Sequence, residues 1–215
     1  MQNLILIGLM MCLAGQNYAL FAKFGAKASS SRSRVDVFAL KQEIKQLAKG
    51  TQNGIKASEE KRLAITTAVK QLEKVNPVKK LSSTEKLDGS WNLVYTTNEG
   101  SSAGKLGSLP FVGEVVQDID LSAGKYVNYV RLPLIEGALT ATWDNLNDRT
   151  WRVKFESINF KLAGISLVSK PLTAEGIWRL TYIDDDLRVL YAQGSNGKTL
   201  EQKDKVIENI YILSK

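Results

Sequence analysis

The sequence predicts a mainly β chain of the α+β class: an antiparallel barrel of about eight or nine strands preceded by an N-terminal helical hairpin. Three observations lead there. From residue 87 onward, short runs of alternating apolar and polar residues recur at meander spacing, with no helical period between them. The first run opens on Gly89-Ser90-Trp91, a glycine that lets the chain turn inward ahead of an indole large enough to close an opening. Ahead of the strands lie two segments of helical period joined by a turn.

Residues 4–13, LILIGLMMCL, form a continuous apolar run. It is too short to span a bilayer comfortably and has the length of a signal-peptide core, although no Lys or Arg precedes it. Cleavage after Ala14 and cleavage after Ala19 both fit. Residues 20–34 hold Phe, Ala, Ser and basic residues and no acid, which is transit-peptide composition; a Ser-rich linker is the alternative. The expected division is a presequence over 1–34, a helical hairpin over 35–80 and a barrel over 81–215, with 35–215 acting as one domain.

Residues 35–49 read as the first helix, with Val37, Leu40, Ile44 and Leu47 on one face and Gly50 as its stop. Residues 51–57 are a turn. Ser58 is the expected cap of the second helix, and Glu59 and Glu60 suit the positive end of its dipole. Ala64, Ala68, Leu72 and Val75 then make a stripe beside Ile65 and Val69, and Asn76-Pro77 ends the helix. One apolar face per helix suits a cover over one end or side of the barrel; a membrane-surface anchor would call for bulkier residues.

In the strand at residues 87–97, Trp91, Leu93 and Tyr95 alternate with Asn92, Val94 and Thr96. Residues 114–121 place Val115, Gln117 and Ile119 on one side. Residues 126–132 place Tyr126, Asn128 and Val130 on one face. Leu139, Ala141 and Trp143 mark a fourth run, and Trp151, Val153 and Phe155 a fifth. A short strand is expected near 165–168. Trp178, Leu180 and Tyr182 precede the turn Asp184-Asp185-Asp186; Leu187, Val189 and Tyr191 follow it, and residues 207–213 close the chain. The acidic triplet reads as a solvated turn rather than a cation site. The loop at 100–113 carries Leu106, Leu109 and Phe111, so it either folds over the barrel mouth or meets something apolar.

Composition narrows the chemistry. The chain has no His, and its one Cys, Cys12, lies in the expected presequence. Ser-His-Asp and Cys-His nucleophiles, His or Cys metal sites and a disulfide in the mature chain are therefore excluded. No pair of carboxylates compels acid-base chemistry, so neither an enzyme nor a cofactor is expected. Lys23, Lys27, Arg32 and Arg34 account for more than half of the +7 net charge. The remainder is a mildly basic globule without the Lys/Arg stripe of a nucleic-acid binder; weak attraction to an anionic membrane surface is compatible with it.

Several pieces, in this order and spacing, resemble the plastid lipid-associated proteins of the plastid fibrillin family over residues 37–213. They are LKQEIKQLAKGTQNGIKAS and LEKVNP in the hairpin, LDGSWNLVYTT, GEVVQDID, the Asn of YVNYV, and TYIDDDLRVL. The resemblance implies a lipocalin-like barrel, binding of apolar plastid metabolites such as carotenoids and prenylquinones, and residence on plastoglobules or thylakoids. It also makes residues 1–34 look like the two-part presequence of algae whose plastids lie within the endomembrane system. Residue by residue it carries over Gly89, Trp91, Tyr95, Thr96, Gln117, Asn128, Tyr182, Asp184 and Arg188. The chain departs from the pattern at Tyr191-Ala192-Gln193-Gly194 and the polar stretch 195–205, where relatives usually have a second basic residue, a Gly and a short final strand.

The expected ligand-lining residues are Trp91, Tyr95, Gln117, Asn128, Phe155, Trp178, Tyr182 and Arg188. Core packing is the competing role for Trp91 and Phe155. Gln117 and Asn128 are polar on otherwise apolar faces and need a partner, in backbone, water or ligand. Arg188 is expected to stack on an aromatic ring at the barrel floor. Two readings of function follow. The first is a carrier that binds or sequesters a carotenoid, prenylquinone or fatty acyl lipid at plastoglobules or thylakoids. The second is a structural protein, either a lipid-body coat or an accessory subunit of a thylakoid membrane complex, without a ligand of its own.

Overall fold

The computed structural model describes residues 35–194 and 208–215. The presequence expectation and the polar stretch 195–205 lie outside them.

Helix α1 (Val37–Ala48) is capped by Asp36, whose carboxylate accepts from the Ala39 N–H at 3.0 Å. Helix α2 (Glu59–Lys74) is capped by Ser58, as its sequence predicts, and carries Glu59 and Glu60 in its first turn. Leu40, Ile44 and Ala48 of α1 meet Ile65, Ala68, Val69 and Leu72 of α2 in one buried cluster. That cluster continues into Tyr95, Tyr182, Leu187, Val189, Ile210 and Ile212, so the hairpin packs on the outside of the barrel wall.

Eight strands close the barrel: β1 (Gly89–Thr96), β2 (Glu114–Asp120), β3 (Lys125–Arg131), β4 (Ile135–Asn147), β5 (Thr150–Leu162), β6 (Ile165–Ile183), β7 (Leu187–Gly194) and β8 (Asn209–Ser214). Each is antiparallel to the next, and β1 pairs with β8. The run near 165–168, expected to stand alone, is the start of the 19-residue β6. Its pairing with β5 slips register twice, and those irregularities interrupt the alternation that would have announced one strand.

Two further bulges decide which aromatics face inward. In the β1–β8 ladder Leu93 pairs with Leu213 and Tyr95 with Ile212, so Val94 is an extra residue. In the β6–β7 ladder Leu180 pairs with Leu190 and Tyr182 with Val189, so Thr181 is extra. One inserted residue reverses the faces of everything beyond it. Trp91, Trp178 and Leu180 therefore join the interior cluster, whereas Tyr95 and Tyr182 turn out beneath the helices. The shared faces expected for Trp91-Leu93-Tyr95 and Trp178-Leu180-Tyr182 do not persist along their strands.

One barrel end is closed by two single-turn 3₁₀ segments, Leu81–Ser83 and Glu85–Leu87. Trp151 Nε1 donates to the Ser82 carbonyl at 2.9 Å, and Trp91 Nε1 to the Leu87 carbonyl at 2.8 Å. Trp143 stacks on Trp151 at 4.7 Å. This end is a solid aromatic plug.

The acidic turn lies at the same end, and it is solvated only in part: Asp185 stays exposed, whereas Asp184 is taken up in contacts. Asp184 accepts from Lys41 Nζ at 2.8 Å and Tyr182 Oη at 2.6 Å, and from the backbone N–H groups of Asp186 and Leu187. Lys41 also donates to Asp186, and Lys86 to Asp185. The triplet fastens α1 and the end cap to the barrel. No signal within the triplet distinguishes that use from a free turn, because its partners lie far away in the chain.

At the opposite end lie the β5–β6 hairpin tip and the segment after β1. Asn53 Nδ2, from the turn between the helices, donates to the carbonyls of Ala103 and Gly113 at 3.0 Å each. Ala103 is buried, yet Leu109 and Phe111 stay exposed. The start of the loop packs, in line with the first expectation for it, while its apolar tip is exposed.

Candidate functional site

The interior is not filled. Between the aromatic plug and the end carrying residues 98–102, the barrel holds a cavity of about 460 Å³. Alternation in β2, β3 and β7 aims Gln117, then Tyr126 and Asn128, then Leu190 and Ala192 into it. Leu139, Phe155 and Trp178 complete an apolar girdle, and Tyr126 meets the Trp178 ring edge-on at 5.0 Å. Asn98, Ser101, Ser102, Asn209 and Tyr211 lie toward the mouth and give it a polar edge.

Register places the polar interior residues together. Gln117 pairs with Trp91 on one side and Asn128 on the other, so the three form a row across β1, β2 and β3. Arg188 enters from β7 and is fully buried. Its guanidinium lies 5.0 Å over the Trp91 ring, and Nη2 donates to Gln117 Oε1. The expected stacking of Arg188 on an aromatic at the closed end is present. Its Nε and Nη1 find no partner among the described residues. Burial brings the Arg188 pKa down to about 9, so the group keeps its charge at neutral pH. Burial also pushes the Tyr126 hydroxyl well above its usual value, so it is neutral and able to donate.

Of the eight expected residues, Gln117, Asn128, Phe155 and Trp178 line the cavity. Trp91 and Arg188 stand behind Gln117 at the closed end. Tyr95 and Tyr182 are outside the barrel, for the bulges described above. Tyr126, Leu190 and Tyr211 belong to the lining as well. Tyr126 was legible, since it shares the Asn128 face of β3; the serines and asparagines of the mouth depend on how a loop folds and carry no periodic signal.

Among the described residues no cluster of acidic side chains is arranged to hold a metal, and no helix is long and apolar enough to cross a membrane.

A family profile described as PAP_fibrillin matches residues 38–200, most of the chain. The chain belongs to the PAP_fibrillin family. The structure thus shows how this plastid fibrillin chain builds its barrel. Trp91, Gln117, Asn128 and Arg188, carried over from the family pattern, are neighbours in space, whereas Tyr182 and Asp184 serve the contact with α1. A similar protein is the "Probable plastid-lipid-associated protein 5, chloroplastic" of Arabidopsis thaliana, 28% identical over 157 residues. The match covers 73% of this chain and 66% of that relative, so the chain spans slightly under two thirds of its length.

Proposed function

We propose that this PAP_fibrillin chain is a non-catalytic plastid protein that binds an apolar small molecule inside its barrel while resting on a lipid surface, a plastoglobule or a thylakoid. The observation that carries this reading is the cavity of about 460 Å³ together with the apolar rim around its open end. The volume falls in the lower half of the range of about 300–1,000 Å³ usual for small-molecule sites. It suits a fatty acyl chain or the head of a prenylquinone better than a whole carotenoid enclosed along its length.

The rim consists of Leu109, Phe111, Leu134, Ile165 and Leu167, all exposed, with Phe111 at 64% and Ile165 at 69%. The Ala163 N–H donates to the Leu134 carbonyl at 2.8 Å, which holds the β3–β4 turn and its Leu134 against the β5–β6 tip. Exposed apolar patches of this kind mark contact surfaces. Lys161 and Arg131 flank them and share Glu136 as their ion-pair partner, which leaves one net positive charge to suit an anionic bilayer. The presequence composition and the chloroplastic relative support plastid residence, by way of a signal peptide and a transit peptide.

Extraction of the protein purified from plastid membranes, with mass spectrometry of the extract, tests the carrier reading. One compound recovered at about equimolar amount supports it; an empty barrel overturns it. Flotation with anionic vesicles tests the rim, where Ile165→Glu and Leu167→Glu are expected to abolish binding without moving the melting temperature.

The accessory-subunit reading has its own support. The first part of β6 exposes Ile165, Leu167 and Val168, and an exposed apolar patch suits a protein partner as well as a lipid. Comigration of a ligand-free protein with a membrane complex would favour it.

A further inference from the structure

Resting on the carrier reading, we infer that the barrel selects amphiphiles with an acidic head group, a carboxylate, which is received at the inner end of the cavity by Gln117, Asn128 and Tyr126 in the field of Arg188.

The argument begins with an uncompensated charge. Arg188 is fully buried, and no carboxylate among the described residues pairs with it. Among the described residues its one hydrogen bond goes to Gln117 Oε1, and Nε and Nη1 have no partner there. A buried cation in this condition destabilises the empty protein and rewards whatever brings a negative charge close to it.

The same bond orients the neighbouring amide. Arginine only donates, so the Gln117 oxygen must face it. The Gln117 amide nitrogen is therefore turned away from Arg188, on a side chain that lines the cavity, and it donates to no described residue. Asn128, its cross-strand neighbour, also lines the cavity with its amide unengaged, as does Tyr126 with its hydroxyl. Three donors thus sit on adjacent positions of β2 and β3 behind the apolar girdle, backed by a positive charge one hydrogen bond away.

A hydrocarbon pushed to this end would strip water from all of them and return nothing. A neutral ester or quinone carbonyl would use the donors but not the charge. A carboxylate uses both, and charge-assisted hydrogen bonds are the stronger kind. The Leu139, Phe155 and Trp178 girdle then holds the chain of the ligand toward the mouth.

The full chain, titrated with cis-parinaric acid and with its methyl ester and followed by ligand fluorescence at neutral pH, tests this directly. The acid is expected to bind at least about tenfold tighter than the ester, equivalent to about 1.4 kcal/mol. In Gln117→Leu and Asn128→Leu the acid should fall to the affinity of the ester measured in the same variant, and the melting temperature of each reports whether the barrel stays folded. Equal affinity for acid and ester overturns the inference and leaves the carrier reading standing. A preference for the acid that survives in both variants also overturns it. If neither probe binds, the carrier reading falls, and this inference with it.

Discussion

Replacing Asp184 with Asn removes one charge from the junction between α1 and the barrel and leaves its shape nearly unchanged. Oδ2 accepts from Lys41 Nζ at 2.8 Å and Tyr182 Oη at 2.6 Å; Oδ1 accepts from the N–H groups of Asp186 at 3.1 Å and Leu187 at 2.9 Å. An amide oxygen in the Oδ1 place keeps the two backbone bonds. Its NH₂ then faces the Lys41 ammonium, so the ionic bond is lost outright. Hydrogen bonds to charged groups contribute about 1.5–3 kcal/mol. The Lys41 and Asp184 side chains are only 14% and 17% exposed, which preserves most of that, but Lys41 keeps Asp186 as a second partner. The expected loss is about 2 kcal/mol. At about 2–4 °C per kcal/mol for a domain of this size, the melting temperature drops by about 4–8 °C.

Lys41→Met should cost less, about 1 kcal/mol, because Asp184 retains Tyr182 and both backbone donors. Urea unfolding of the wild type, both single variants and the double variant gives the coupling energy, expected near 1 kcal/mol. The pH dependence supplies a second check. The Lys41 ammonium and the Tyr182 hydroxyl help hold the Asp184 carboxyl well below the usual carboxylate range, against the opposing effect of burial. Its contribution is complete above the unfolded value of about 3.9 and is lost as pH falls from there through the folded value. Lys41 shifts the other way, raised by the two carboxylates over the opposing effect of burial. Its contribution is present below the unfolded value of about 10.4 and is lost as pH rises through the folded one. Asp184→Asn should therefore lose less stability than the wild type between pH 4 and pH 2. A coupling energy under about 0.3 kcal/mol, or the same acid sensitivity in the variant, would refute the assignment of the triplet as the fastening of α1.

Four other substitutions probe separate parts of the structure. Gly54→Ala puts a Cβ 2.1 Å from the Thr96 carbonyl oxygen at a backbone φ of +101°, and should cost at least about 3 kcal/mol in urea unfolding. Gly50→Ala, at φ +75° with open space around it, should cost only about 1 kcal/mol, and equal losses would show that the hairpin turn does not dock on β1. Tyr95→Phe removes a buried hydroxyl without a hydrogen-bond partner and should be neutral or stabilising by up to about 1 kcal/mol; a clear loss of stability would place an acceptor there. Phe155→Trp adds volume to the cavity wall and should weaken binding of parinaric acid at least about tenfold while leaving the melting temperature within about 2 °C, whereas unchanged binding would put the ligand elsewhere.

Much of the architecture was legible in the chain. Ser58 caps α2 as read, and the apolar spacing of both helices matches their buried faces, although Asp36, read as helical, is the cap of α1. Gly89-Ser90-Trp91 starts the first strand and brings an indole to the closed end. Period-two alternation in β2, β3 and β7 puts Gln117, Asn128 and Arg188 inside, and the absence of His removes whole classes of chemistry before any coordinate is needed.

Other features belong to the assembled barrel alone. A bulge is a property of two strands in register, so nothing within β1 or β6 announces that Val94 and Thr181 are extra, and the faces of Tyr95 and Tyr182 could not be read from their own strands. The acidic turn is bound or free depending on a lysine 143 positions away. The cavity is volume that side chains from many strands fail to fill, and the partnerless nitrogens of Arg188 are an absence of contacts. Local sequence determines which way a residue prefers to point; only the closed sheet decides what, if anything, it meets there.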